Sequence, residues 1–80
     1  QGDLRFEPLT ALASGIDGMK DIENIIMGSK PLLTPKGILA IEHGYNQKKQ
    51  VQKTFKRNHF QSITTYKDLN NNDRVTIGFI

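Results

Sequence analysis

The segment TPKGILAIEHG, from Thr34 to Gly44, decides the fold of this chain. Its centre, Ile38 to Ile41, is a continuous apolar run of strand length. Such a run is typical of a strand buried on both faces, as in a parallel sheet with helices above and below. The four residues before it, Thr34 to Gly37, predict a tight bend. The segment therefore favours an α/β architecture.

An amphipathic helix is predicted in the residues before this bend. Asp17 is a plausible N-cap, because its side-chain oxygen can accept a hydrogen bond from the first turn. Pro31 interrupts the helix and predicts one further short turn with the two leucines that follow. The residues that share one face of the helix are Met19, Ile22, Ile25, Ile26 and Ser29.

The first residues predict an extended segment that turns sharply at a carboxylate. Pro8 biases Glu7 toward extended geometry, and the fixed φ of the proline suits the start of a helix. Apolar residues then recur at helical spacing. We therefore expect about one turn of helix, built on Leu9, Leu12 and Ala13.

A basic helix and a β-hairpin are predicted after the central strand. Asn46 is a reasonable N-cap for this helix, which should end near Asn58 or His59, residue types that tolerate the left-handed conformation. The runs QSITTYKD (61–68) and DRVTIGFI (73–80) flank an asparagine-rich turn and predict an antiparallel hairpin. This order leaves one edge of the Ile38 strand open, so we expect half of a larger doubly wound sheet.

Composition bounds the class of protein. Eighty residues make one domain at most, and the absence of cysteine excludes a disulfide framework, as expected in a reducing cytoplasm. His43 and His59 cannot build a structural zinc site alone. No apolar run reaches the length of about 18 residues that a membrane span needs. The sequence therefore predicts a cytoplasmic protein without membrane contact.

Much of the net charge of +3 lies in one segment, residues 47–59. Its basic residues fall mostly opposite Val51 and Phe55, as on the solvated face of a helix. A weak surface for an anionic partner is the alternative, since basic stripes can contact phosphates. No aromatic residues interleave with the charges to stack bases, so no direct nucleic-acid contact is expected.

Candidate functional residues follow the central strand, because ligands of open α/β sheets collect beyond the carboxyl ends of the strands. These residues are Glu42, His43, Gly44 and Tyr45. Neighbours on an extended chain point to opposite faces, which disfavours a catalytic pair of Glu42 and His43. Two alternatives stay open: a structural role, with His43 bonded to backbone and Glu42 fixing a loop, and a contact with a ligand or partner. No metal spacing, phosphate-cradling glycine pattern or nucleophile elbow is present.

Three stretches carry a resemblance to a known family: GDLRFEPLTALASGIDGMKDIENII (2–26), LTPKGILAIEHGYNQ (33–47) and YKDLNNNDRVTIG (66–78). In one register over essentially the whole chain, they resemble the C-terminal part of the bacterial peptide chain release factor glutamine methyltransferases, the PrmC or HemK family. A ribosomal-protein glutamine methyltransferase paralogue shares a Glu-Pro-x-x-Ala-Leu segment and is the alternative enzyme. A non-catalytic basic binding module is the alternative outside enzymes.

The resemblance implies a fold, a reaction and a partner. The fold is α/β, the C-terminal half of a class I S-adenosylmethionine-dependent methyltransferase (Rossmann-like) sheet that ends in an antiparallel β-hairpin. Ile38 to Ile41 would be its fifth strand. Residues 1–80 would be an incomplete catalytic domain, lacking the cofactor-binding half and the helical N-terminal domain. The intact protein would use S-adenosylmethionine to methylate the Gly-Gly-Gln glutamine of class 1 peptide release factors.

The resemblance also implies which residues meet the substrate. The family's glycine-rich cofactor loop and Asn-Pro-Pro-Tyr active-site motif have no counterpart here, so no catalytic residue is expected and the chain alone should be inactive. Lys36 and His59 stand where the family usually has glycine, which weakens local turn chemistry. A structural alternative, in which Phe6 and Leu9 simply close the core, stays open. The implied substrate-binding residues are Phe6, Glu7, Pro8, Glu42, His43 and Tyr45.

Overall fold

The computed structural model describes residues 10–16, 18–33 and 36–80. Strands and helices alternate at first, and a hairpin follows. In chain order the elements are β1 (Thr10–Ala13), α1 (Met19–Ser29), a 3₁₀ turn (Lys30–Leu32), β2 (Ile38–Glu42), α2 (Lys48–Arg57), β3 (Gln61–Lys67) and β4 (Asp73–Phe79).

The four strands form one mixed sheet in the order β1-β2-β4-β3. β1 runs parallel to β2, and β4 is antiparallel to both of its neighbours. The predicted hairpin is confirmed, because β3 and β4 pair across the asparagine-rich turn. The predicted α/β class is confirmed as well. β3 is antiparallel to β4 and therefore runs in the same direction as β1 and β2. The last strand, β4, is the antiparallel one.

The helical turn predicted around Leu12 is wrong, because Thr10–Ala13 is a strand. Ala11 and Ala13 pack toward the core while Leu12 is exposed, which is the alternation of a strand. Three apolar residues span too short a stretch for periodicity to separate helix from strand, and pairing with β2 decides the outcome. Leu9 lies outside the described residues.

The expectation that β2 has an open edge is therefore also wrong. β1 pairs with one side of β2 and β4 with the other, so this chain supplies both neighbours. Among the residues that the structure describes, no strand pairs with the outer edge of β1. β2 therefore gives no evidence that the sheet is incomplete.

The core lies on one face of the sheet. Leu39 and Ile41 are buried, whereas Ile38 and Ala40 are half-buried, so β2 alternates. Both helices contribute to the cluster on the Leu39 face, which corrects the expectation of helices above and below the sheet within this chain. The cluster consists of Ile22, Ile26, Leu33, Leu39, Ile41, Val51, Phe55 and Phe60.

The helix ends differ in part from the predictions. α1 begins after Gly18 without a side-chain cap, and Asp17 lies outside the described residues. The N-cap of α2 is Gln47, not Asn46, and it too caps without its side chain. The predicted end of α2 is confirmed, with Asn58 as C-cap and His59 at a φ of 65°.

The basic residues of α2 form the solvated face that the sequence favours. Lys49, Lys53, Lys56 and Arg57 are exposed, opposite the buried Val51. Neither of the helices described here combines the length and the apolar character that crossing a membrane requires.

Candidate functional site

The carboxyl ends of the two parallel strands, β1 and β2, open onto a depression of about 170 Å³. The link after β1, the end of β2 with the segment that follows it, and one residue of β4 contribute to its lining. Its lining consists of Gly15, Ile16, Glu42, His43, Gly44 and Arg74. The edge rule selected Glu42, His43 and Gly44, and all three line this depression. Tyr45 is 62% exposed and is not part of this lining.

Glu42 and His43 do not act as a pair. Glu42 ends β2 with its side chain exposed, whereas His43 is only 4% exposed. Both ring nitrogens of His43 bind other groups: Nδ1 lies 2.8 Å from the carbonyl oxygen of Gly44, and Nε2 lies 2.8 Å from Oγ1 of Thr76. The structural alternative, a histidine bonded to backbone, describes these contacts.

A tight turn fixes the loop after His43. The Gly44 amide donates to the side-chain Oε1 of Gln47 at 2.7 Å, and the Gln47 amide donates to the Gly44 carbonyl at 3.0 Å. A Cβ at Gly44 would lie 3.1 Å from the Oδ1 of Asn46. The loop thus leaves little room for a side chain at this position.

Arg74 ties this loop to the hairpin. Its carbonyl accepts a hydrogen bond from the His43 amide at 2.8 Å, and its Nη1 donates to the His43 carbonyl at 3.4 Å. Its Nε donates to Oδ2 of Asp68 at 3.1 Å. Hydrogen bonds from the Asn72 amide and then from Arg74 hold the pKa of Asp68 below its ordinary value of 3.8.

The roles of Arg74 and Thr76 were missed by sequence reasoning. Both belong to the hairpin, about 30 residues along the chain from His43. Nothing local in the sequence states that β4 lies beside β2, and this placement alone brings them to the pocket. The motif that contains them contributed only to the family resemblance.

A second depression, of about 550 Å³, lies beside the start of α1 and shares Gly15 and Ile16 with the first. Asp21 and Asn24 give it a polar wall. Both depressions open near the link that follows β1. Within the described residues, no group of three or more His, Cys, Asp or Glu side chains could hold a metal ion.

The structure describes three of the six implied substrate-binding residues. Glu42 and His43 line the pocket and Tyr45 is exposed just beyond it. Phe6, Glu7 and Pro8 lie outside the described residues. The fold and the pocket together define an α/β domain with a polar depression at the carboxyl ends of its parallel strands.

Comparison with known proteins identifies the relatives of this chain. It is 54% identical over 76 residues to the release factor glutamine methyltransferase of Buchnera aphidicola (subspecies Acyrthosiphon pisum). It is 42% identical over 79 residues to that of Haemophilus influenzae and 44% identical over 78 residues to that of Escherichia coli. These alignments cover 95%, 99% and 98% of this chain. No protein-family model matches it.

The family resemblance seen in the sequence is confirmed by these matches: the chain is homologous to part of the release factor glutamine methyltransferases. It spans 27% of the Buchnera and Haemophilus proteins and 28% of the Escherichia coli protein.

Proposed function

We propose that this chain is the C-terminal portion of the catalytic domain of an S-adenosylmethionine-dependent protein-(glutamine-N5) methyltransferase. Its substrate is the glutamine of the Gly-Gly-Gln motif in class 1 peptide release factors, and it works in the cytoplasm. The observation that carries the proposal is the match, at 54% identity over 95% of the chain, to a protein named release factor glutamine methyltransferase. The antiparallel last strand agrees with the Rossmann-like sheet that the resemblance implies.

The pocket residues do not fit the methyl donor by themselves. The depression that they line measures about 170 Å³, below the ~300–1,000 Å³ of typical small-molecule sites. On the family resemblance, which puts the glycine-rich cofactor loop outside these eighty residues, we assign S-adenosylmethionine, which would supply the methyl group, to other parts of the intact protein. The same parts would supply the catalytic residues, so the eighty-residue chain alone is expected to be inactive.

The role proposed for this chain is to receive the substrate. An amide nitrogen is a poor nucleophile, so the enzyme must hold it in line with the reacting methyl group. Glu42 is exposed at the pocket, and its carboxylate can accept a hydrogen bond from a backbone or side-chain amide of the incoming loop. Phe6, Glu7, Pro8 and Tyr45 complete the proposed substrate-binding set, whereas His43, buried with both ring nitrogens engaged, supports the loop instead of contacting the substrate.

Methyl transfer by the intact protein tests the reaction. Purified class 1 release factor and S-adenosylmethionine are incubated with the enzyme, and the Gly-Gly-Gln peptide is analysed by mass spectrometry. We expect one methyl group on the glutamine, and none when the substrate carries alanine at that position. Transfer to a ribosomal protein in preference to the release factor would overturn the proposed substrate. Absence of any transfer would overturn the reaction class.

Substitution of the two carboxylates proposed to bind the substrate tests the site. In the intact enzyme, Glu42→Ala and Glu7→Ala are each expected to lower kcat/KM by about tenfold or more, which corresponds to about 1.4 kcal/mol. Glu23→Ala, on α1 and outside both depressions, is the control and should leave kcat/KM unchanged. A variant at position 42 or 7 with wild-type kcat/KM would remove that residue from the site.

A further inference from the structure

A chain of hydrogen bonds leads from helix α2 through the sheet to the pocket, and its direction can be read from the chemistry of its members. At one end, Nδ1 of His43 contacts the Gly44 carbonyl at 2.8 Å. A carbonyl oxygen can only accept, so Nδ1 carries a proton. In a neutral imidazole Nε2 is then an acceptor, and the Thr76 hydroxyl, 2.8 Å away, donates to it.

The remaining directions follow from counting protons. Thr76 has a single hydroxyl proton, which is used on His43, so its contact with Oγ1 of Thr65 at 2.6 Å is one in which Thr65 donates. Thr65 in turn accepts from the side-chain amide nitrogen of Gln52 at 2.9 Å. Within the described part of the chain, no buried side-chain nitrogen or oxygen is left without a partner.

Burial makes this series of hydrogen bonds a fixed part of the fold. Thr76 is completely buried and His43 nearly so, which means that water cannot replace a missing partner at either position. A buried polar group that loses its partner is costly, so each hydrogen bond constrains the next. Gly44, at whose carbonyl this series of hydrogen bonds ends, is one of the residues that line the pocket.

We propose that Gln52, Thr65 and Thr76 are positioning residues for the pocket. They hold the ring of His43 in the orientation in which Nδ1 carries a proton, and that proton fixes the Gly44 carbonyl beside the pocket. A helix and two strands remote from the substrate thereby set the geometry of the loop that meets it. The consequence for catalysis rests on the proposed methyltransferase function, whereas the tautomer of His43 does not.

Nitrogen-15 NMR of the intact protein with labelled histidine tests the tautomer, and His43→Asn assigns the signals. The expected spectrum shows a protonated Nδ1 and an unprotonated Nε2. Thr76→Val removes the donor to Nε2 and should shift the ring signals toward a tautomer mixture, whereas Thr76→Ser should restore them. Thr64→Val changes an exposed neighbouring threonine whose hydroxyl donates to the Ser62 carbonyl at 3.2 Å, and should leave the histidine signals unchanged. An Nε2–H tautomer in the wild type, or unaltered signals in Thr76→Val, would overturn the proposal.

Steady-state kinetics of the same variants test the positioning role. Thr76→Val is expected to raise the KM for release factor about tenfold, with kcat within about twofold of wild type. Thr76→Ser should restore the KM. Thr65→Val, which acts one hydrogen bond further from His43, should raise the KM less. Wild-type KM in both valine variants refutes the role. If the intact protein methylates nothing while the histidine signals are as expected, the proposed function fails and the tautomer assignment stands.

Discussion

Four non-glycine residues in the described part of the chain, Lys36, His59, Ser62 and Asn71, hold a backbone conformation that favours glycine, and the first two lie next to regular elements. Lys36 has a φ of 69° and His59 a φ of 65°, both in the left-handed region. This conformation is costly for a residue with a Cβ, and less so for histidine than for lysine, since histidine is among the types enriched there. Each residue lies at a junction, Lys36 before β2 and His59 after α2.

Glycine at these two positions is expected to stabilise the protein. Lys36→Gly relieves strain of about 1–2 kcal/mol and loses up to about 1 kcal/mol to the greater freedom of the unfolded chain. The net gain in the free energy of unfolding should therefore lie between about 0 and 2 kcal/mol by these figures. His59→Gly should gain less. Urea denaturation measures both, and a loss of stability in Lys36→Gly would contradict the prediction.

Asp68 gives the hairpin a dependence on acid. Its pKa is lowered below 3.8, chiefly by the Asn72 amide and then by Arg74, so the folded state favours the charged carboxylate. A lowered pKa stabilises the folded state above the unfolded value and loses that contribution as the pH falls through 3.8 toward the folded pKa.

Acid unfolding of Asp68→Asn checks this dependence. The wild type should lose stability below a pH of about 4 more steeply than the variant, and the two curves should become closer as the pH falls. Asp73→Asn, which removes a partly exposed ion pair with Lys67 at 3.2 Å, is the control and should change the slope little. Parallel curves for wild type and Asp68→Asn would show that Asp68 is not responsible.

Among the elements, α2 packs tightly against the sheet at Gly78 of β4. A Cβ at this position would lie 2.6 Å from Cδ1 of Phe55, which is less than any real contact. The Phe55 ring is itself held edge-on by Phe60, with ring centroids 5.0 Å apart. The ring has little freedom to move away, so the glycine sets the distance between helix and sheet.

Alanine at Gly78 should therefore be destabilising. Overpacking a well-filled core costs about 1–3 kcal/mol, and we expect Gly78→Ala to lower the free energy of unfolding by this amount. Gly28→Ala is the matched control, because nothing lies within 4 Å of a Cβ there. Gly28 is an exposed residue of α1, so the control should gain up to about 1 kcal/mol. Equal stability of Gly78→Ala and wild type would show that Phe55 can relax.

At the scale of elements, sequence patterns worked where they were long. The amphipathic helices and the hairpin each span several turns or alternations, and they were predicted correctly. β1 was misread because Thr10–Ala13 is short and its outcome depends on pairing with β2. The same limit applies to the site: Glu42 and His43 could be found from their place after a strand, whereas Arg74 and Thr76 depend on the order of strands in the sheet.

For the molecule as a whole, the sheet face opposite the helices is the distinctive feature. No described helix covers it, and Leu12 on this face is 64% exposed. The pairing registers bring further apolar residues beside it. The apolar residues of this face are Leu12, Ile38, Ala40, Val75, Ile77 and Phe79. If the chain is part of a larger catalytic domain, the rest of that domain is expected to cover them.

The isolated eighty-residue chain should therefore bind a hydrophobic dye and self-associate, whereas the intact protein should do neither. Leu12→Asn should reduce dye binding by the isolated chain. Leu69→Asn is the control, because Leu69 is fully exposed in the hairpin turn, away from this face. A monomeric isolated chain with a sharp cooperative melt and no dye binding would contradict the expectation that other parts of the domain cover this face.

Transplantation tests most directly whether these residues serve as part of a release factor glutamine methyltransferase. The matching segment of the Escherichia coli relative, which is 44% identical over 78 residues, is replaced by this chain. Methylation of the Gly-Gly-Gln glutamine is then measured, with the unaltered relative as reference. We predict that the chimera methylates the release factor with a kcat/KM within about tenfold of the reference. A chimera that melts cooperatively and binds S-adenosylmethionine, yet transfers no methyl group to the release factor, would contradict this account.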